Sequence, residues 1–285
     1  MGAGVAVVTD STACLPPELI AETSVTVVPL QVVVDGRALA EGAAISGAEV
    51  AEALAAHRQV TTSRPSPQAF AETYRALVAA GAAEVVSVHL SGDLSGTVDA
   101  ARAGAREVAE EGVQVLVVDS RSLGMGLGYA VLAAADAAAG GAPGPEVAER
   151  AARVAMTSAT YVYVDTLEYL HRGGRIGAAQ AAVGSALSVK PLLHLVDGRL
   201  ESLERVRTAS RALERLVEIV VAETGRDEAD LAVHHLAAPE SAQQVAGLLR
   251  ERVPRLRRMV ISEVGAVVGA HVGPGMVAVV VSPAG

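Results

Sequence analysis

Val85-Val86-Ser87-Val88-His89-Leu90 runs straight into Ser91-Gly92-Asp93-Leu94-Ser95-Gly96-Thr97. The first six residues are almost continuously apolar, the pattern of a strand covered on both faces of a sheet. The next seven are hydroxyls, glycines, a leucine and an aspartate, a mixture that turns a chain and caps a helix. An alanine-rich helix over residues 95–111 is then expected. The same unit recurs on either side. Strands are expected over 5–8 and 113–118, and helices over 68–80, 126–139 and 146–158. Strands alternating with helices predict a parallel sheet flanked by helices.

The first half therefore reads as a Rossmann-like α/β domain. Within it, Pro29 interrupts a second strand over 25–34. Ser46 with Glu49 three residues on has capping-box spacing and predicts a helix over 46–56. Residues 61–67 hold two prolines and are expected to form an irregular loop. The second half reads as a mixed α+β domain. Asp197-Gly198 between two apolar segments predicts a hairpin of 190–196 and 199–205. Helices are expected over 178–188, 209–224 and 240–251, and a glycine-broken turn at His171-Arg172-Gly173-Gly174-Arg175. The uncharged stretch 264–285 is long enough to span a membrane. His271 and Gly273-Pro274-Gly275 break it, so two core strands around a loop are expected. Domains are placed at 1–159 and 160–285.

Composition narrows the function. At ~150 residues per domain, 285 residues predict two domains. Aromatics make up 2 % and the net charge is -9, which argues against a stacking platform for single strands and against phosphate-backbone binding. One cysteine, Cys14, excludes an internal disulfide and fits a reducing, cytoplasmic location. No basic n-region precedes the first strand, so no signal peptide is expected. The seven histidines show no helical i, i+4 pair, and neither a metal nor another cofactor is expected.

The chemistry-bearing residues collect where strands end, where α/β sheets bind ligands. They are Thr9-Asp10-Ser11-Thr12, the turn 91–97, Asp119-Ser120-Arg121-Ser122 and Thr61-Thr62-Ser63. Helix caps use the same residues, so each single hydroxyl also has a structural reading. Gly124-Met125-Gly126-Leu127-Gly128 has the wrong spacing for a dinucleotide fingerprint and reads as close packing. Gly92-Asp93-Leu94-Ser95-Gly96 narrowly misses the nucleophile-elbow pattern, which leaves a Ser95/His271 acyl hydrolase as an alternative.

The order and spacing of these segments resemble the DegV family of bacterial fatty-acid-binding proteins. The resemblance is carried by Thr9-Asp10-Ser11-Thr12, Thr62-Ser63-Arg64-Pro65-Ser66-Pro67, Leu94-Ser95-Gly96-Thr97, Arg172-Gly173-Gly174-Arg175-Ile176, Val206-Arg207-Thr208 and His271-Val272-Gly273-Pro274-Gly275. It implies two α/β domains with one long-chain fatty acid in a tunnel between them. It also implies a non-catalytic role, in which the ligand carboxylate is presented to a separate ATP-dependent fatty acid kinase subunit. By resemblance the carboxylate contacts fall on Thr62, Ser63, Ser95 and His271, and Arg175 and Arg207 are candidates for docking the kinase. Arg64 and Gly92-Asp93 depart from the family's commonest residues, beside the implied head-group contacts. Another acyl or isoprenoid lipid is the remaining alternative ligand.

Overall fold

In chain order the first strands are β1 (Val5–Asp10), β2 (Thr26–Val28), β3 (Gln31–Val34), β4 (Arg37–Ala40), β5 (Val60–Ser63), β6 (Glu84–His89) and β7 (Gln114–Asp119). There follow β8 (Ala159–Tyr163), β9 (Lys190–Val196), β10 (Arg199–Val206), β11 (Ala229–His235), β12 (Leu256–Glu263) and β13 (Val277–Pro283). They come from a computed structural model that describes residues 4–176 and 189–284. The helix expected over 178–188 lies outside the described residues.

The chain divides into two compact units. One runs to Gln31 and resumes over Ser63–Thr157; the other holds Val32–Thr62 and everything from Ser158. The first contains a parallel sheet of order β2-β1-β6-β7. Val85 to His89 are all buried, as expected of a strand sandwiched between helices. Its core joins Val8, Val85, Phe70, Tyr74 and Ala101. Pro29 ends β2 and separates it from β3. Gly128 packs closely: a Cβ there would stand 2.9 Å from the carbonyl oxygen of Ala13, which gives that glycine a packing role.

Residues 32–62 belong with the second unit, where the sequence placed them in the first domain. The reason is non-local pairing. β3, β4 and β5 make a separate three-stranded sheet, and the helix Gly47–Ala55 packs on the helix Ala266–Val272. Gly47 permits that approach, since a Cβ there would collide with the carbonyl oxygen of Val264. Ser46 and Glu49 form the expected capping box.

The second unit is built on a six-stranded mixed sheet of order β10-β9-β8-β13-β11-β12. Only β11 and β12 run parallel; the other neighbours are antiparallel. Asp197 and Gly198 take positive φ of 47° and 81° and close the expected hairpin. Two expectations are corrected. Residues 60–63 are strand β5, because the prolines at 65 and 67 restrict only the residues just before them. The stretch after residue 264 holds the helix Ala266–Val272 and one strand, β13, in place of two strands.

Candidate functional site

The helix Ala266–Val272 carries His271 in its last turn. Its N-terminus is fixed by Glu41, whose carboxylate accepts a 2.7 Å hydrogen bond from the amide of Val267. An acidic group there also suits the helix dipole. The helix ends at Gly273, whose φ of 75° would strain any other residue, and whose Cα lies against the ring of Tyr169.

β5 brings the partner. Strand alternation places Thr62 on the half-buried face and leaves Thr61 and Ser63 exposed. Thr62 Oγ1 lies 2.8 Å from His271 Nε2, a hydrogen bond across 209 positions of sequence. His271 is pulled down to about 4, first by burial and then by the positive charge of Arg175. The helix C-terminus favours the protonated ring by ~0.3–1 kcal/mol, too little to offset that desolvation. The imidazole is therefore neutral at neutral pH.

Both side chains line a pocket of about 470 Å³ within the second unit. Arg58, Arg172 and Arg175 line it as well. Arg58 is held at 2.7 Å by Asp35, and Arg172 lies 5.1 Å over the ring of Tyr169 and 3.7 Å from Glu168. Arg175 donates to the carbonyl of Gly173, and burial holds its guanidinium below the usual arginine range. A hydroxyl, a neutral imidazole and three guanidinium groups around one cavity suit an anionic head group.

The other expected residues fall elsewhere. Ser95 belongs to the first unit, at the turn before the helix Thr97–Ala109. Its Oγ lies 2.9 Å from Thr97 Oγ1 and accepts a 3.3 Å bond from the Thr97 amide. Ser63 is grouped with the first unit and is exposed. Arg207 is exposed just before Thr208, the residue that caps the helix Ala209–Thr224, and it does not line the pocket. The Ser95/His271 hydrolase gains no support from these bonds, since Ser95 is engaged by Thr97 and His271 by Thr62.

Arg58, Tyr169, Arg172 and Gly173 were not singled out as site residues from the sequence. The Gly173-Gly174 pair was the available signal, because an unexplained glycine marks close approach or a turn. Arg58 carried none. Among the described residues no group of acidic, histidine or cysteine side chains could hold a metal ion. No described helix is long and apolar enough to cross a membrane.

Comparison with known proteins agrees with the resemblance. A DegV domain-containing protein of Streptomyces coelicolor is 54 % identical over 282 residues, covering 99 % of both chains. A structure of a DegV family protein from Thermus thermophilus, described as binding fatty acid, matches with a TM-score of 0.91 at 32 % identity. That match covers 99 % of this chain and 100 % of the other. The DegV of Bacillus subtilis, described as a fatty acid binding protein, matches with a TM-score of 0.89 at 29 % identity, over 99 % and 100 % of the two chains. The DegV family model matches residues 4–284. The chain belongs to the DegV family.

Proposed function

We propose that this protein binds a long-chain fatty acid, holds its carboxylate at Thr62 and His271, and presents it to a separate ATP-dependent kinase subunit. The 2.8 Å bond between Thr62 and a neutral His271 on the wall of an arginine-lined pocket carries this reading. A carboxylate leaving water needs hydrogen-bond donors; the hydroxyl and the neutral imidazole carry one each, and since their mutual bond uses one, the pair offers the other to the ligand. Tail burial supplies most of the affinity: at ~0.8 kcal/mol per methylene, about fourteen of them give on the order of 10 kcal/mol before binding costs. The head-group contacts then set orientation.

Ser95 and Ser63 enter the reading through the sequence resemblance, as do Arg175 and Arg207 as kinase-docking residues. Presentation means that one carboxylate oxygen stays open to attack the γ-phosphorus of ATP on the partner. ADP leaves and an acyl phosphate forms. The protein itself supplies no nucleophile to this step. Its location is proposed to be the cytoplasm, where ATP is available.

The test mixes the protein, palmitic acid, ATP and a bacterial fatty acid kinase subunit, and traps acyl phosphate as a hydroxamate with hydroxylamine. The expected result is hydroxamate with wild type and a loss of about ten-fold or more in Thr62→Val and His271→Gln, from a donor removed at the reacting head group. Equal yields from all three proteins would contradict the assignment of Thr62 and His271.

A further inference from the structure

Every residue on the wall of the 470 Å³ pocket belongs to the second unit. Small-molecule sites run to ~300–1,000 Å³, and a carboxylate of three heavy atoms fills little of such a volume. The wall is polar. Among the described residues its aliphatic side chains are Val60 and Ala270, so it does not suit an acyl tail. No described aspartate or glutamate lines it, while Arg58, Arg172 and Arg175 do. A single carboxylate served by Thr62 and His271 leaves most of that charge and volume unused.

The fold aims two of these guanidinium groups. Asp35 stands in the turn between β3 and β4, with a φ of 49°. Its carboxylate accepts from Arg58 Nε at 2.7 Å and from the amide of Gln59 at 3.1 Å. Its own amide donates to the Gln59 carbonyl at 2.9 Å. Arg58 is thereby fixed at the entry to β5. Asp35 takes only the Nε edge: among the described residues the Nη groups of Arg58 make no further hydrogen bond. Arg172 rests 5.1 Å from the centre of the Tyr169 ring, which steadies it without using its N–H donors. Its acidic neighbour Glu168 is 3.7 Å away, and both side chains are more than half exposed, so water screens that pair.

We propose that Arg58 and Arg172 form a phosphoryl subsite, which makes the protein hold an acyl phosphate more tightly than the free fatty acid. This rests on the fatty-acid reading above. In the transfer a carboxylate oxygen bonds to the γ-phosphorus of ATP. The bond from that phosphorus to the β–γ bridging oxygen breaks, and ADP leaves with the electron pair. The phosphoryl group is then one bond from the head group at Thr62 and His271, two residues of this same wall. It brings about two negative charges and three terminal oxygens. Guanidinium forks match phosphate oxygens in pairs, through charge-assisted bonds. That added charge exists only after transfer, so these arginines favour product over substrate.

The experiment uses palmitic acid and the methylene phosphonate analogue of palmitoyl phosphate, in which CH₂ replaces the bridging oxygen and prevents hydrolysis. Binding of each is measured to wild type, Arg58→Gln, Arg172→Gln and Arg58→Lys. Wild type is expected to bind the analogue about ten-fold more tightly than the acid, or better. Arg58→Gln and Arg172→Gln are each expected to lower the ratio of analogue to acid affinity about ten-fold. Arg58→Lys keeps the charge without the fork and recovers part of the ratio. A ratio that stays at the wild-type value in either glutamine variant overturns the proposal, as does an equal loss for both ligands. A wild type that binds the acid as tightly as the analogue overturns it too, while fatty-acid binding stands. A wild type that binds neither overturns the fatty-acid reading itself, and this proposal with it.

Discussion

Gly173 lies against the imidazole of His271 so closely that a Cβ there would stand 2.9 Å from Cε1 and collide with Nδ1. The backbone does not demand glycine, since φ is -75°. The ring demands it. His271 is held from its other side by Thr62 at 2.8 Å, so it cannot yield to a methyl group without losing that bond. Gly173→Ala is expected to cost ~1–3 kcal/mol, as overpacking does elsewhere. Urea unfolding measures the cost, and fatty-acid binding should weaken with it. An alanine variant with wild-type stability and binding would show that the ring has room to move.

Thr62→Val keeps the shape of the side chain and removes its hydroxyl. His271 Nε2 is then left buried without this partner, a loss of ~1–3 kcal/mol. Thermal unfolding should show it. The effect of His271→Gln should not add to that of Thr62→Val, because both remove one bond; a double-mutant cycle checks this. Additive effects would mean that the two residues act separately.

Protonation gives a second handle on the same pair. His271 and His234 both sit at about 4, each lowered chiefly by burial. An unfolded histidine titrates near ~6.5. Between those two values the unfolded chain binds protons that the folded chain refuses, so stability rises with pH there. The contribution is complete above about 6.5 and is lost as pH falls towards 4, on the order of 3 kcal/mol for each ring. Denaturant unfolding at pH 7 and pH 5 should show the loss, and His271→Gln should flatten the profile. An identical slope in the variant would place the transition on other groups.

In the first unit, Asp10 is fully buried and accepts from the amides of Thr12 and Leu90, both at 3.0 Å. Its other contacts are the Thr12 hydroxyl at 2.5 Å and His89 Nδ1 at 2.9 Å. From His89 the chain of bonds continues through Ser87 to Tyr74. Asp10→Ala would strand several buried donors at once, at a cost of about 1–3 kcal/mol each. The expected outcome is a variant with a markedly lower urea midpoint or no soluble protein. A midpoint like that of wild type would mean water replaces the carboxylate.

The locally encoded parts of this fold were legible. Ser46 and Glu49 form a cap within three residues, and Asp197-Gly198 closes a hairpin within two. The helix Ala266–Val272 was not legible, because six of its seven residues are buried. A helix covered on nearly all sides has no polar face, and periodicity then cannot separate it from a strand. The membership of residues 32–62 was hidden for a different reason. It depends on pairing among β3, β4 and β5 and on contact with a helix more than 200 residues later. At the site, Thr62 and His271 came from the family resemblance, since nothing in their own surroundings links positions 209 apart. Arg58, Tyr169 and Arg172 are surface-type residues in sequence, and only the folded pocket collects them.

The central claim is that a fatty acid occupies this protein. Native and denaturing mass spectrometry of the purified chain, with organic extraction of what it carries, tests it most directly. The account predicts one long-chain fatty acid per chain in the native spectrum, released on denaturation, with reduced occupancy in Thr62→Val and His271→Gln. An empty protein that also fails to take up added palmitic acid would contradict it.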